Sequence, residues 1–198
     1  MTCIVGLVDN KEIWIGSDSA GTAGPDQDIY KTTKAFKRGP FIIGGSGSYR
    51  GIQLMQYTVP LDKLLPLDNY LKNPDVSIES YAHCFAELIR ETFRDNGLAE
   101  IESNVEGTDT QILFGFRGRL FTLQYDFAVL ESSNDYYSIG SGSVYAHGSL
   151  YESRDKPPLE RVLSALRCAE YYCTGVKGPF KVLHLITDSN YEEFVFEQ

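Results

Sequence analysis

Apolar residues recur along the chain in two rhythms. Thr2 to Asp9 and Glu12 to Ser19 are β-branched runs separated by the polar residues Asp9, Asn10 and Lys11, which predicts an N-terminal hairpin. Tyr30 to Lys37 and Phe41 to Gly45 predict a second strand pair around the turn Arg38-Gly39-Pro40. Helical spacing begins near Gly51 and runs to Tyr57, and Pro60 to Pro74 reads as a connecting loop. From Ser77 to Asn96 the residues Ile78, Tyr81, Ala82, Phe85, Leu88, Ile89 and Phe93 share one helical face. Ser77 is placed to cap that helix and Asn96-Gly97 to end it. Strands are predicted again at Thr110 to Phe116, Arg119 to Phe127 and Tyr136 to Gly140, then helices at Ser143 to Tyr151 and Leu159 to Cys173. Phe180 to Thr187 and Tyr191 to Glu197 close the chain as a further hairpin. Strand pairs and helix pairs segregate rather than alternate, so the expected class is α+β in one domain spanning residues 1–198.

Composition narrows the functions open to this pattern. With 198 residues and 42% apolar residues, the chain can bury a core without disulfides or metal. A net charge of −9 argues against a nucleic-acid or anionic-membrane partner, since both need a positive surface. No apolar run is long enough to cross a bilayer, and the opening MTCIVGLVDNKE does not read as an export signal. A cytoplasmic protein with reduced thiols is therefore expected, with Cys84 and Cys168 read as core residues. No metal or cofactor motif is present: Cys3, Cys84, Cys168 and Cys173 lack zinc spacing, and His83, His147 and His184 are isolated. The glycine-rich runs at Gly44 to Ser48 and Gly140 to Ser143 lack a phosphate-loop lysine, and alone they are turns.

The informative feature is Thr2. Removal of Met1 would expose a threonine whose hydroxyl and α-amine form a nucleophile and its own base, the amine having an ordinary pKa of about 7.7–8.0. A three-residue hairpin loop would set Asp18 across from Thr2, whereas a two-residue loop would set Ser19 there. On a continuous strand from Tyr30, Lys34 shares a face with Tyr30, Thr32 and Phe36. A lysine pointing inward needs a partner, and its charge would lower the pKa of a neighbouring hydroxyl.

The run TCIVGLVDNKEIWIGSDSAGTAG, together with Lys34, FIIGGSGS, IGSGSVYAHGSL and EYYCTG in that order, resembles proteasome β-subunits and their bacterial relative HslV. The resemblance covers most of the chain and is weakest from Tyr57 to Thr110. It implies an N-terminal nucleophile (Ntn) hydrolase: a four-layer αββα sandwich of two antiparallel sheets flanked by helices. By the same resemblance Thr2 is the nucleophile, Asp18 its acidic partner, Lys34 the lysine and Gly47 the oxyanion-hole glycine, with Gly45 or Ser46 as alternatives. Ser141 falls near the terminal amine, and Glu170 and Cys173 take the places of an aspartate and a serine. Thr22 corresponds to a residue that pairs with extended substrate, and Gly45 and Tyr49 to pocket residues. Ala20 departs from the family, which usually has arginine there, and Met1-Thr2 leaves no propeptide to cleave. The implied activity is threonine-type hydrolysis of a polypeptide or peptide substrate in a homo-oligomeric ring, fed by an ATP-dependent unfoldase. A catalytically silent ring subunit, or a hydrolase acting on a non-protein amide, would share the fold.

Overall fold

The computed structural model describes every residue except 24–25, 65, 74–75, 103, 188–189 and 198. In chain order it holds β1 (Ile4–Asp9), β2 (Glu12–Ser17), β3 (Ala20–Ala23), β4 (Asp26–Ile29), β5 (Ala35–Arg38), β6 (Phe41–Ser46), α1 (Tyr49–Tyr57), α2 (Leu67–Tyr70) and α3 (Ile78–Asp95). There follow β7 (Glu100–Glu102), β8 (Val105–Gly107), β9 (Gln111–Phe116), β10 (Arg119–Leu123), β11 (Val129–Glu131), β12 (Tyr136–Ile139), α4 (Ser143–Glu152), α5 (Pro158–Tyr172), β13 (Phe180–Thr187) and β14 (Asn190–Phe196).

Two five-stranded antiparallel sheets carry the molecule, ordered β12-β1-β2-β13-β14 and β11-β10-β9-β6-β5. Alternation along each strand gives each sheet two apolar faces, and three separate clusters of buried side chains fill the gaps. Ile4, Ile13, Ile15, Ile42 and Leu113 lie between the sheets. Val5, Leu7 and Val182 meet Val162 and Leu166 of α5 on one outer face. On the other, the aromatic rings of Phe41, Phe114 and Phe116 meet Phe85 of α3, with Phe41 stacked on Phe85 at 4.0 Å. The four layers are helices, sheet, sheet, helices.

The long helix follows its predicted span, because Ser77 caps it and Ser80 bonds back to the cap. Differences fall where turns and polar segments decide. Asn10 and Lys11 both take left-handed backbone angles (φ 49° and 69°), so the first hairpin turns in two residues. The register is therefore Ile4↔Ser17, and its extension brings Cys3 to Asp18 and Thr2 toward Ser19. The expected strand from Tyr30 is broken: the chain pairs at Asp26–Ile29, bends through Lys31 and Thr32, and re-enters a sheet only at Ala35. The expected loop from Pro60 contains a 3-10 turn at Leu61–Lys63 and the short α2, while its end at residue 74 lies outside the described residues. Cys84 is exposed and touches the Tyr70 hydroxyl, because the apolar face of α3 passes through Phe85 instead; Cys168 is only half-buried, and Cys3 is the thiol in the core. Among the described residues no helix is long and apolar enough to cross a membrane.

Candidate active site

The start of β1, the end of β2 and the segment before β5 converge on Thr2. Thr2, Asp18 and Lys34 are all buried, Lys34 at 1% exposure. Such a lysine is tolerable only with an opposite charge, and its Nζ sits 2.8 Å from Asp18 Oδ1. Asp18 is held in turn by the backbone, Oδ1 accepting from Cys3 N (3.0 Å) and Oδ2 from Ala20 N (3.2 Å). Asp18 thus reaches the site one residue away from the cross-strand place that a three-residue loop would have given it. Burial pushes the Lys34 ammonium below its ordinary value, while Asp18 beside it pulls it back up. Burial likewise pushes the Asp18 carboxyl up against the pull of Lys34. Burial also pushes the Cys3 thiol well up, so it stays protonated.

Around Thr2 the polar atoms converge on two carbonyls, those of Met1 and of Thr2 itself. Thr2 Oγ1 donates to Met1 O at 2.7 Å, and Lys34 Nζ approaches that same oxygen at 3.5 Å. Thr2 N donates to Ser141 Oγ at 3.1 Å, Ser141 Oγ donates back to Thr2 O at 3.3 Å, and Gly142 N donates to Thr2 O at 3.1 Å. Ser141 and Gly142 are presented by the turn between β12 and α4, where Gly140 has φ +90° and has no room for a side chain against Thr2 O. Cys173, at the C-terminus of α5, donates to Ser141 Oγ from 3.6 Å. Met1 projects from the cluster, its amine 2.6 Å from Thr22 Oγ1 and its side chain against Gly175.

The oxyanion-hole candidates Gly45, Ser46 and Gly47 lie at the glycine-rich end of β6 and differ in their hydrogen bonding. Gly45 N already donates to Lys34 O at 2.9 Å, and alternation along β6 turns Ser46 N toward β9. Gly47 N comes back to the Lys34 side and makes no hydrogen bond among the described residues. Its φ of +108° suits glycine, and an added Cβ would lie 2.1 Å from Asp109 O.

Not every expected residue joins the cluster. Glu170 turns to the loop after α5, its Oε1 accepting from Gly178 N (3.1 Å) and lying 3.4 Å from Lys177 Nζ. Lys177 sets a positive charge beside that carboxylate. Gly45 faces Ile52 rather than an opening. Thr22 and Tyr49 do line a cavity of about 340 Å³, with Gly21, Tyr30, Thr32 and Gln53, residues the sequence reading left unassigned as site residues. The adjacency of Gly21 to Thr22 was the available signal, since the Tyr30 ring lies where a side chain at Gly21 would have to go. Burial pushes the Tyr49 hydroxyl up to about 12, so it remains a neutral wall. The histidines sit elsewhere: His147 bonds Ser138 Oγ at 2.6 Å, and His184 stacks on Trp14 and meets Glu12 at 2.7 Å.

No family model matches the chain, and no curated protein matches its sequence. Solved structures do. Thiobacillus denitrificans BPH superposes with a TM-score of 0.75 at 19% identity, over 92% of this chain and 97% of that one. The same protein in complex with epoxomicin gives 0.75 at 18% identity over the same shares. An Anbu variant from Hyphomicrobium sp. strain MC1 gives 0.72 at 16% identity, over 99% of this chain and 87% of that one. HslV from Trypanosoma brucei gives 0.66 at 16% identity, over 92% and 98%. These likenesses establish the architecture that the layers describe: the chain has the proteasome-like Ntn-hydrolase fold.

Proposed function

We propose that the chain, once Met1 is removed, is an N-terminal threonine hydrolase that cleaves amide bonds in peptides. The observation that carries this reading is the convergence of the Thr2 hydroxyl and the buried Lys34 ammonium on one carbonyl oxygen. That oxygen belongs to the acyl group on Thr2, so the arrangement resembles the surroundings an acyl group would meet on attack.

In this reading the freed Thr2 amine stays beside Ser141 and accepts the hydroxyl proton, directly or through water. Thr2 Oγ1 then bonds the substrate carbonyl carbon, and Lys34, fixed by Asp18, keeps positive charge beside the forming oxyanion. Gly47 N is the backbone donor available to that oxyanion. The ammonium returns its proton to the departing amine as the amide C–N bond breaks. Water then attacks the resulting ester with the amine again as base, and Thr2 Oγ1 is released. Thr22 and the Tyr30–Tyr49 cavity receive the substrate's chain, and the enzyme works as a homo-oligomer, with an unfoldase as candidate feeder. That BPH, which shares the fold, is solved in complex with epoxomicin supports a ligand-binding role for this architecture.

The test is turnover of a fluorogenic peptide by protein whose Met1 is shown to be absent. Thr2→Ala should fold and assemble normally and lose turnover by at least about 10³-fold, as expected for loss of a nucleophile. Unaltered turnover in Thr2→Ala would overturn the assignment; a fully processed chain without amidase activity would favour a silent subunit.

A further inference from the structure

Between α5 and β13 the chain runs past Asp18 in residues 173–179, a crossing that the hydrolase reading leaves without a role. Polar backbone groups of this crossing bond to the residues that carry the site. Lys177 N donates to the Asp18 carboxylate, Lys177 O accepts from Ser19 N at 2.9 Å, and Pro179 O accepts from Ser19 Oγ at 2.6 Å. Val176 packs the first half of the crossing into the core cluster that holds Cys3 and Ala169. The second half is tied back to α5 by Glu170, whose Oε1 accepts from Gly178 N at 3.1 Å and lies 3.4 Å from Lys177 Nζ. Gly178 brings no side chain to pack, and glycine has the freest backbone, so the bond to its amide restrains the segment there.

We propose that Glu170 is a positioning residue: by holding Lys177 and Gly178 it keeps the Lys177 amide on Asp18, and through Asp18 it sets where the Lys34 ammonium stands beside Thr2. The effect on turnover rests on the hydrolase reading. Asp18 is 1% exposed, and a buried carboxylate that loses a donor has no water to replace it. What remains to it is Lys34, whose Nζ is 2.8 Å from Asp18 Oδ1 and also 3.5 Å from Met1 O. One cation serves both oxygens, so a closer hold by Asp18 draws it away from the place the reacting carbonyl takes. A displacement of about 1 Å is enough to cost about 10²-fold in rate. Glu170 thereby differs from an acid that works on the Thr2 amine by its charge, because it works by accepting a hydrogen bond.

Hydrogen exchange read residue by residue, together with the pH profile of peptide turnover, tests it on protein lacking Met1. In Glu170→Ala the amides of Lys177 and Ser19 should exchange at least about 10-fold faster, and kcat should fall about 10–100-fold with KM within about twofold of wild type. Glu170→Gln keeps an oxygen for the Gly178 amide, so protection at both amides and most of kcat should return. The acid limb of kcat/KM, which reports the free Thr2 amine, should stay in place in Glu170→Gln. A charge acting on that amine would give the opposite, since its removal lowers the amine's pKa and moves the limb to lower pH. Exchange does not depend on Thr2 being catalytic, so wild-type protein without turnover would defeat the hydrolase reading while exchange still decides whether Glu170 braces Asp18. Wild-type exchange at Lys177 and Ser19 in Glu170→Ala, a Glu170→Gln variant as slow as Glu170→Ala, or one whose acid limb moves, would overturn the proposal.

Discussion

Replacing Lys34 by methionine removes the cation from the centre of the site while keeping most of the side-chain volume. Asp18 would then stand as a buried carboxylate without its cation, held by backbone amides that include those of Cys3, Ala20 and Lys177. Breaking one partner from a buried ion pair costs about 3–5 kcal/mol. For a chain of this length each kcal/mol lowers the melting temperature by about 2–4 °C, so the drop should be on the order of 10 °C. The penalty should depend on pH with a defined sign. Burial raises the folded pKa of Asp18 above its ordinary 3.8, and loss of Lys34 raises it further. A raised folded pKa favours the folded state at low pH, so the penalty is largest near neutrality and shrinks as pH falls toward 3.8. Adding Asp18→Asn should recover most of the stability, because no charge is left buried. It should not recover turnover, for which loss of the cation beside Thr2 costs about 10²–10³-fold or more. Thermal melts by circular dichroism across pH, with peptide turnover on the same samples, separate the two effects. A single variant with unchanged melting temperature, or a double variant with restored turnover, would refute this account of Lys34.

Two further outcomes follow from geometry. Gly47→Ala should lose turnover by about 10²–10³-fold and lower the melting temperature, since its backbone is left-handed and its Cβ would collide with Asp109 O; near-normal kinetics would remove Gly47 from the oxyanion role. On the outer surface, hydrogen bonds from Arg94 and Arg90 hold the Glu106 carboxyl down at about 2. Its contribution is present above the ordinary 4.5 and is lost only as pH falls through about 2, so a carboxyl titration followed by NMR should show that low midpoint. A midpoint at 4.5 would mean the ion pairs do not persist.

Much of the layered fold was legible because it depends on local repetition. The α3 helix announces itself through Ser77 and the Tyr81-Phe85-Ile89 spacing, and the strands through alternation that the three core clusters then use. What the sequence did not fix was set by single backbone angles or by distant partners. The first hairpin was one residue out for a three-residue loop, because Asn10 and Lys11 both adopt positive φ; that shift sends Asp18 to the Cys3 amide rather than directly across from Thr2. Lys34 is buried as its pattern suggested, yet it precedes β5 instead of lying within a strand from Tyr30, because the chain bends through Lys31 and Thr32. Glu170 shares a helix with Cys173 but binds at Gly178 and Lys177, partners that only the folded loop brings near. That the Gly45 amide is taken up by Lys34 O while Gly47 N makes no hydrogen bond among the described residues depends on the direction of hydrogen bonding along β6, which no composition reveals.

In the proposed function Thr2 becomes a free amino-terminal nucleophile in this cluster. Intact-mass spectrometry of natively started protein, before and after incubation with a peptide epoxyketone, reads both halves of it at once. Loss of Met1 and one covalent adduct per chain, mapped to Thr2 and absent in Thr2→Ala, is the expected result. A chain that has lost Met1 yet forms no adduct at Thr2, while retaining its fold, would contradict it.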